Sequence, residues 1–416
     1  MRILLVSEDV PFPSMGGLAK HVLALARALA RAGHDVDFMG NTDHALDSGD
    51  PELTLPGRFY PELPGTQRGW RERRLGCFIP YKRDVIARGV ARAILARAVD
   101  YDVVHYHGHY PNVGAFIPTA INFVQTRHDQ GSDCLIHTRF RNGDVCTAVD
   151  PAVCAGCATS HPNGFQRVVS ANTVQAYRRH VAESFRRHKT VFVSQMLLRN
   201  FTRSAGPGPW GSVVHNFIDK TALERAAASP IRPEDLPSNA RLIVIAGKLY
   251  PPKGIDRLLG LAVPRLAGNM YILVMGDGPQ EQSLRARYGS THVRFLGWCS
   301  AETALVHMAA ADAIAVPSVW EEPCATSVLE GLALSKPTYA LARGGTPELK
   351  AYEVYPGQLR LFDSMESLVP GLLSVSTVSS VHASCIRPFR RGAEEAVEEL
   401  LAIYRAGPPV SRSLVQ

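Results

Sequence analysis

Two glutamates, Glu322 and Glu330, are separated by seven residues in a segment that could bind a sugar attached to a diphosphate. A predicted strand ends near Val316, a turn follows it, and a helix is predicted to begin near Ala325. The backbone N–H groups at a helix N-terminus favour phosphate. Carboxylates at this spacing can hold sugar hydroxyls on one side of a diphosphate and ribose hydroxyls on the other. Glutamate pairs at this distance are common, so the interpretation depends on the surrounding residues.

A glycine pair, Gly16 and Gly17, precedes a predicted helix that ends at Ala32. Glycine has no Cβ, so its backbone can approach a ligand closely, and the start of the helix favours phosphate. A glycine pair is usually only a turn, and that alternative stays open.

Three cysteines and a histidine have the residue types and spacing of a structural zinc site: Cys146, Cys154, Cys157 and His161. The fourth ligand has two candidates, because His161 is local and Cys134 is remote. The alternative is a loop of reduced free thiols, which suits a reducing compartment.

The elements that must position these residues form two series of strands and helices. Strand, helix and strand within the first 39 residues make a βαβ unit, which implies a parallel sheet. The predicted strands are 2–6, 35–39, 102–106, 134–137 and 191–194 in the first half, and 242–246, 271–275, 293–296 and 313–316 in the second. The predicted helices of the second half are 254–266, 279–288, 301–311 and 391–405. A second βα series implies a second doubly wound domain.

These patterns predict one doubly wound domain over residues 1–215, with a Cys-rich insert at about 139–164, and a second doubly wound domain over 216–385. Residues 386–416 are predicted to form a helix and tail that pack back toward the first domain. The Pro-, Gly- and Arg-rich stretch 47–83 is predicted to be a long loop with little regular structure.

Segment 317–348 resembles the signature of retaining glycosyltransferases of family four, which have the GT-B fold. The matching residues are Ser318, Glu322, Pro323, Leu329, Glu330, Pro337, Gly344, Gly345 and Glu348. The departures are an additional Glu321, Cys324 in place of the common Phe, and Ser335 in place of the usual Gly. None of them removes a chemically necessary group.

The resemblance implies an α/β fold of GT-B type, with two doubly wound Rossmann-like domains and an interdomain cleft. It also implies that residues 1–215 form the acceptor-binding domain and residues 216–385 the nucleotide-sugar-binding domain. It implies transfer of a hexosyl group from a UDP- or GDP-type nucleotide sugar, with retention of configuration and without a catalytic metal. Glu322 would orient the hydroxyls of the donor sugar, and Glu330 would hold the ribose. The acceptor would be a glycan, a lipid-linked sugar or a small molecule.

The stretch AGKLYPPKG, from Ala246 to Gly254, resembles the phosphate-binding element of that family. Lys253 matches its phosphate-binding lysine. Lys248 stands where Arg is usual, and it supplies the charge without the bidentate fork. With helix N–H groups, both lysines would stabilise the leaving diphosphate. Alternatively, both are solvated surface charges.

Further donor-binding candidates come from the same resemblance. They are Gly16, Gly17, Gly247, Trp298, Cys299, Cys324, Ala325 and Thr326. The backbone at Trp298 would meet the nucleobase, although this residue could equally be a core aromatic.

The family also places a histidine near the reacting sugar, and this sequence offers two candidates, His137 and His128. The run 134–137 is predicted to be a buried strand that ends at His137. Residues 113–127 are predicted to form a helix, which leaves His128 in a loop. His137 is therefore the predicted catalytic histidine, while His105 and His107 are predicted to be structural or to face the acceptor.

The net charge of +7 lies entirely in residues 1–215, which contain 25 Lys and Arg residues and 18 Asp and Glu residues. Two stretches, 68–83 and 177–189, combine Arg with aromatic or helical patterning. Such stretches suit an anionic bilayer surface or a lipid diphosphate, and they equally suit a solvated face without any partner. No nucleic-acid-binding module is visible.

Composition indicates an ordinary globular protein, with 46% apolar and 20% charged residues. These values exclude a disordered chain, a coiled coil and a collagen-like repeat. The apolar run 3–6 is too short for the core of a signal peptide. We therefore expect a cytoplasmic protein, peripheral to the inner face of the membrane if the basic stretches bind lipid.

Two rival interpretations remain. A nucleotide-sugar epimerase shares the two-domain architecture, but it would need no acceptor and would leave the sugar on the nucleotide. A catalytically inactive relative would bind a nucleotide or glycan without hydrolysing the donor.

Overall fold

A computed structural model describes residues 1–10, 17–41, 55–63, 73–74, 77–78, 81–158, 163–375 and 387–406. The chain divides into two compact units. The first unit contains Met1–Arg139, Thr147–His215 and Ala393–Gln416, and the second contains Phe140–Cys146 and Asn216–Gly392.

Strands and helices alternate through most of both units, as parallel sheets require. The strands are β1 (Arg2–Val6), β2 (Asp35–Asn41), β3 (Phe59–Leu63), β4 (Arg73–Arg74), β5 (Cys77–Phe78), β6 (Val103–Tyr106), β7 (Phe123–Arg127), β8 (Phe140–Arg141), β9 (Asp144–Val145), β10 (Lys189–Phe192), β11 (Ser212–Val213), β12 (Arg241–Ala246), β13 (Met270–Met275), β14 (Val293–Gly297), β15 (Ala313–Val316), β16 (Thr338–Leu341) and β17 (Leu359–Phe362). The helices are α1 (Gly17–Arg31), α2 (Tyr81–Leu95), α3 (Pro151–Ala158), α4 (Gly164–Arg187), α5 (Gln195–Ala205), α6 (Lys220–Ala228), α7 (Ile255–Ala262), α8 (Glu281–Tyr288), α9 (Ala301–Ala309), α10 (Thr326–Ala333), α11 (Met365–Leu373) and α12 (Ala393–Arg405).

The first unit is built on a parallel sheet with the strand order β11-β10-β7-β6-β1-β2-β3. Strand β1 lies inside the sheet, with Leu4 paired to Asp37 on one side and to Val104 on the other. Its side chains from Ile3 to Val6 are fully buried, because helices cover both faces of such a sheet. Helix α12 belongs to this unit, and its Tyr404 hydroxyl lies 2.6 Å from His105 Nδ1.

Two predictions for the first unit are wrong. The predicted helix over 113–127 is instead a short 3-10 turn, Val113–Phe116, followed by strand β7. Pro118 disfavours helical geometry in the residue before it, so the turn ends there. The predicted strand over 134–137 is a set of turns, in which His137 has a φ of 63°. Strand β7 already fills the position between β6 and β10, so this sheet has no place for the run 134–137.

The predicted loop 47–83 contains more regular structure than expected. Strand β3 extends the sheet beyond β2, with Phe38 paired to Phe59. The aromatic side chains that favour a strand at 59–63 outweigh the Pro and Gly residues around them. Residues 64–72 lie outside the described part of the chain, so the basic stretch from residue 68 onward is described only in part.

The second unit has a parallel sheet with the strand order β14-β13-β12-β15-β16-β17. The four strands predicted for this half are confirmed as β12, β13, β14 and β15. Its apolar core includes Ile243, Ile272 and Leu258, all nearly inaccessible to solvent. Phe140 packs against this core, and Arg257 donates a hydrogen bond of 2.7 Å to the carbonyl of Gly143. These contacts explain why residues 140–146 cluster with the second unit.

None of the helices in the described ranges is long and apolar enough to cross a membrane.

Candidate active site

The Glu322 turn, defined as residues 317–325, connects strand β15 to helix α10 in the second unit. Glu322 is 5% exposed, and its Oε1 accepts hydrogen bonds from Lys253 Nζ and from Ser318 Oγ, the latter at 2.7 Å. Lys253 lies at the end of a 3-10 turn that follows β12, and its Nζ is 5.9 Å from the centroid of the Trp320 ring. The turn therefore holds a carboxylate and an ammonium group together in a mostly buried place.

Burial alone would raise the pKa of Glu322, but the positive charge of Lys253 and the hydrogen bonds it receives bring that pKa below its usual value. Burial likewise opposes the charged form of Lys253, yet the Glu322 carboxylate raises the pKa of Lys253 above its usual value. Both groups are consequently charged at neutral pH. Lys253 uses one of its three N–H donors on Glu322, and an ammonium group with further donors can also bind phosphate.

Two glycines permit the close packing around the Glu322 turn. Gly254 has a φ of 69°, and a Cβ there would lie 2.1 Å from the carbonyl oxygen of Pro317. Gly344 has a φ of 61°, and a Cβ there would lie 2.5 Å from the backbone N and O of Glu322. The next residue, Gly345, donates its N–H to the Glu322 carbonyl at 2.7 Å. The Gly-Gly pair of the sequence motif thus packs against the backbone of Glu322 and donates a hydrogen bond to it.

Gly254→Ala is expected to lower the free energy of unfolding of the second unit. The loss should exceed the usual cost of placing a residue with a Cβ in the left-handed backbone conformation. Both the positive φ and the contact with the Pro317 carbonyl oppose a Cβ at this position, whereas at Gly357 the φ is 77° and no heavy atom lies within 4 Å. Gly357→Ala is therefore the matched control, with an expected cost of about 1–2 kcal/mol from the backbone alone. Urea denaturation of the two variants measures the difference. Equal midpoints would show that the Pro317 contact has no energetic weight.

Helix α10 begins at the Glu322 turn without a side-chain cap. Its N-cap residue is Ala325, whose side chain makes no capping hydrogen bond, and Thr326 is exposed. Cys324 is buried, which raises the pKa of its thiol to about 12 and makes it a poor nucleophile. Glu330 lies one turn into the helix and is partly exposed. An uncapped helix start beside an ammonium group is suited to an anion.

The loops that follow β12, β13 and β14 lie side by side at the carboxyl edge of the same sheet. Gly247 donates its N–H to the Met275 carbonyl at 3.0 Å, and Gly276 donates to the Gly297 carbonyl at 2.7 Å. Lys248 is exposed in the first of these loops.

Trp298 follows β14 and is 58% exposed, so its alternative interpretation as a core aromatic is wrong. The neighbouring Cys299 is partly buried, and burial raises the pKa of its thiol. Ligands of open parallel sheets bind at this carboxyl edge, which is where the predicted donor-binding residues of the second unit lie.

In the first unit, His128 follows directly after β7, the position that the sequence had predicted for His137. Burial, with smaller effects from His21 and Arg127, brings the pKa of His128 well below its usual value. Its Nε2 lies 3.0 Å from Nδ1 of His107. His128 is therefore a neutral imidazole at the carboxyl edge of the first sheet. Gly17 begins α1, and Gly16 lies outside the described residues.

His137 instead takes part in a carboxylate network centred on Asp129. Its Nδ1 lies 3.0 Å from Asp129 Oδ2, and the Asp129 carboxylate also accepts a hydrogen bond from the N–H of Gly131 at 2.7 Å. His109 joins the network, with Nε2 2.8 Å from Asp9. Burial opposes the charged form of His109, but Asp129 and Asp9 raise its pKa well above the usual value. Sequence reasoning missed this network, although the His-Asp pair at 128–129 was visible.

The cysteines predicted to bind zinc are described in part. Cys154 and Cys157 lie on α3, and Arg178 donates a hydrogen bond of 3.1 Å to the Cys154 sulfur. Cys146 belongs to the second unit, and His161 lies outside the described residues. A structural zinc ion at these residues remains a prediction.

Two family models match the chain. The model described as Glycosyltransferase Family 4 matches residues 15–222, which is half of the chain, and the model described as Glycosyl transferases group 1 matches residues 240–362. The chain belongs to glycosyltransferase family 4. The two matched ranges include His128, Lys253 and Glu322. The protein is a glycosyltransferase.

One sequence relative and several solved structures are similar to this glycosyltransferase over most of its length. The uncharacterized glycosyltransferase MJ1607 of Methanocaldococcus jannaschii is 23% identical over 367 residues, 85% of this chain and 84% of the relative. The crystal structure of Anabaena Alr3699/HepE in complex with UDP and glucose has a TM-score of 0.61 and 17% identity, covering 97% of this chain and 99% of that one. WaaG, a glycosyltransferase involved in lipopolysaccharide biosynthesis, has a TM-score of 0.56 and 17% identity, covering 96% and 94%. The glycosyltransferase has the GT-B fold.

Proposed function

We propose that this family 4 glycosyltransferase transfers a hexosyl group from a nucleotide sugar to an acceptor with retention of anomeric configuration. The observation that carries the proposal is the buried Lys253–Glu322 pair beside the uncapped start of α10. An ammonium group and helix N–H groups suit a diphosphate, and the adjacent carboxylate suits sugar hydroxyls. The similar structure of Anabaena Alr3699/HepE holds UDP-glucose, which supports a donor of this class.

In this proposal the second unit binds the donor. As the glycosidic bond breaks, negative charge develops on the leaving diphosphate, and Lys253, Lys248 and the first N–H groups of α10 stabilise it. Such groups act without reorganisation because the fold already holds them in place. Glu322 orients the sugar hydroxyls, Glu330 binds the ribose, and the backbone at Trp298 and Cys299 meets the base.

The first unit is proposed to bind the acceptor and to supply His128 to the reacting sugar. Its positive charge favours an anionic acceptor, such as a sugar linked to a lipid diphosphate at a membrane surface. Helix α4 carries part of that charge, including Arg186 and Arg187 in its last turn.

The direct test of the activity is product analysis with UDP- and GDP-hexoses labelled in the sugar. Soluble sugars and lipid-linked sugars in anionic vesicles serve as acceptors in parallel. We expect label to move from the nucleotide to an acceptor, and the anomeric configuration of the product, read by NMR, to match that of the donor. Label that stays on the nucleotide as an altered sugar would indicate an epimerase, and an inverted product would contradict retention.

Glu330→Ala is expected to weaken binding of the matching nucleoside diphosphate by about tenfold or more, because a hydrogen bond to a charged group contributes roughly 1.5–3 kcal/mol. Glu302→Ala is the control, since Glu302 is an exposed glutamate in the first turn of another helix of this unit. Isothermal titration calorimetry with UDP and GDP measures both variants. Unchanged affinity in Glu330→Ala would remove this residue from the nucleotide site.

A further inference from the structure

Three histidines of the first unit direct their ring nitrogens toward one another. They are His21 on α1, His107 after β6 and His128 after β7, and one nitrogen of each lies within 4.8 Å of the other two. The ring centroids of His21 and His128 are 4.8 Å apart, and those of His107 and His128 are 5.3 Å apart. Among the described residues, this is the group of His, Cys, Asp or Glu side chains whose geometry could hold a metal ion. We call it the histidine trio.

Other histidines of the first unit have a different kind of partner. His105 has Tyr404 and Thr126 hydroxyls at its two nitrogens, at 2.6 and 2.7 Å. His188 has the Ile117 carbonyl at 3.0 Å. Carboxylates likewise face His109 and His137. In the trio, by contrast, His107 Nδ1 faces a nitrogen of another imidazole.

Within the described residues, the buried His107 ring has one nitrogen that makes no hydrogen bond. His107 is 1% exposed, and within the described part of the chain its Nε2 has no hydrogen-bond partner. Leaving a buried polar nitrogen unpaired costs roughly 1–3 kcal/mol. His107 Nδ1 and His128 Nε2 lie at hydrogen-bond distance, 3.0 Å, so they share one proton, and a metal ion bound by both nitrogens would replace that proton.

The scaffold holds the trio firmly. Strands β6 and β7 are adjacent in the sheet, with Tyr106 paired to Gln125, and His107 and His128 each follow directly after the carboxyl end of one of these strands. The His105 ring supports His107 from one side, with the centroids 4.0 Å apart. His21 comes from the second turn of α1. Ligands carried on strand ends and a helix are positioned more precisely than ligands on loops.

We propose that the histidine trio binds a divalent transition-metal ion such as Zn²⁺ or Co²⁺, with water in the fourth position. Imidazole nitrogen suits these ions, whereas Mg²⁺ and Ca²⁺ prefer oxygen ligands. Tetrahedral coordination at about 2.0–2.1 Å requires ligand nitrogens about 3.4 Å apart. The nitrogens of the trio are already within 4.8 Å, so small side-chain rotations suffice.

The expected effect on transfer is inhibition, and this part rests on the proposed function. A metal ion that coordinates His128 occupies the imidazole that would otherwise face the sugar. A transition-metal ion bound by the trio would therefore inhibit the reaction, and the bound ion itself would take no part in catalysis.

Titration with Co²⁺ tests the site without any activity measurement. Tetrahedral coordination by imidazole gives visible absorption bands, whereas cysteine thiolates add intense near-ultraviolet charge-transfer bands, so the trio and the predicted cysteine site are distinguishable. We expect visible bands that saturate near one equivalent, are displaced by Zn²⁺, and are lost in His21→Gln and in His107→Gln. His188→Gln, a buried histidine of the same unit, should keep them.

The absence of visible bands, or visible bands without thiolate charge-transfer bands that persist in both His21→Gln and His107→Gln, would overturn the proposal. His21 is only partly buried, so His21→Gln tests the site even if His107→Gln fails to fold. In transfer assays, Zn²⁺ should inhibit the unaltered protein, a chelator should restore its activity, and His21→Gln should require more Zn²⁺ for the same fractional inhibition. Equal sensitivity would contradict competition at the trio. If no transfer is detected at all, the Co²⁺ bands still decide the metal site, independently of the proposed function.

Discussion

Lys253→Met is expected to lower the free energy of unfolding of the second unit by about 3 kcal/mol, the lower end of what removal of one partner from a buried ion pair costs. The variant leaves the Glu322 carboxylate, whose side chain is 7% exposed, with Ser318 as its remaining side-chain donor among the hydrogen bonds described above. The double variant Lys253→Met/Glu322→Gln should recover most of the loss, because it removes the uncompensated charge. Urea denaturation of the four proteins of this cycle measures the coupling.

Lys248→Met is the matched control for this experiment. Lys248 is exposed and lies on the same stretch of chain, so its replacement should leave stability nearly unchanged. Both variants should weaken binding of the nucleoside diphosphate, because both lysines are proposed to contact phosphate. Equal stability of Lys253→Met and Lys248→Met would show that the buried pair does not stabilise the fold. Unchanged nucleotide affinity in both would remove the lysines from the donor site.

Much of the second unit could be predicted because its strands are continuous apolar runs. Segments such as 242–246 and 313–316 are buried on both faces and bounded by turn residues, which is the pattern of a parallel strand. The structure also brings two residues of the sequence motif together. Glu322 follows one strand, and Gly344 follows the next and packs on its backbone.

Strand β7 was missed because its sequence is polar. Gln125 and Thr126 are buried in it, and their hydrogen-bond partners are distant in sequence. Gln125 donates a hydrogen bond of 2.9 Å to Ser184, and the Thr126 hydroxyl lies 2.7 Å from Nε2 of His105. Local patterns cannot reveal such long-range compensation of buried polar groups. The run 134–137 was predicted to be a strand because it is apolar, but a short apolar run can also occur in a set of turns. Because 134–137 was predicted to be the strand instead of 123–127, His137 was predicted to lie at the strand end, where the structure has His128.

His128→Gln is expected to lower the turnover number of the transferase by about 10²-fold, the effect of losing one group that stabilises a transition state. His137→Gln should have a much smaller effect on turnover. His128 follows β7 at the carboxyl edge of the first sheet, where ligands of such sheets bind, and its lowered pKa keeps the imidazole neutral at neutral pH. His137 is 31% exposed and bound to Asp129, so its replacement should mainly loosen the turn around Gly131.

The measurement is kcat for transfer under saturating donor and acceptor, with circular dichroism to establish that both variants fold. His188→Gln is the control for the loss of a buried imidazole, because its partner is the Ile117 carbonyl in another part of the unit. If His137→Gln loses more turnover than His128→Gln while both remain folded, the role belongs to the Asp129 network. That network would then act through His137 and the protonated His109, whose raised pKa keeps a positive charge beside Asp9 and Asp129 at neutral pH.

A neutral His128 predicts that kcat changes little above neutral pH, because His128 has no proton to lose there. A role of the Asp129 network predicts a fall in kcat as pH rises through the raised pKa of His109, so the pH profile of the unaltered protein separates the two.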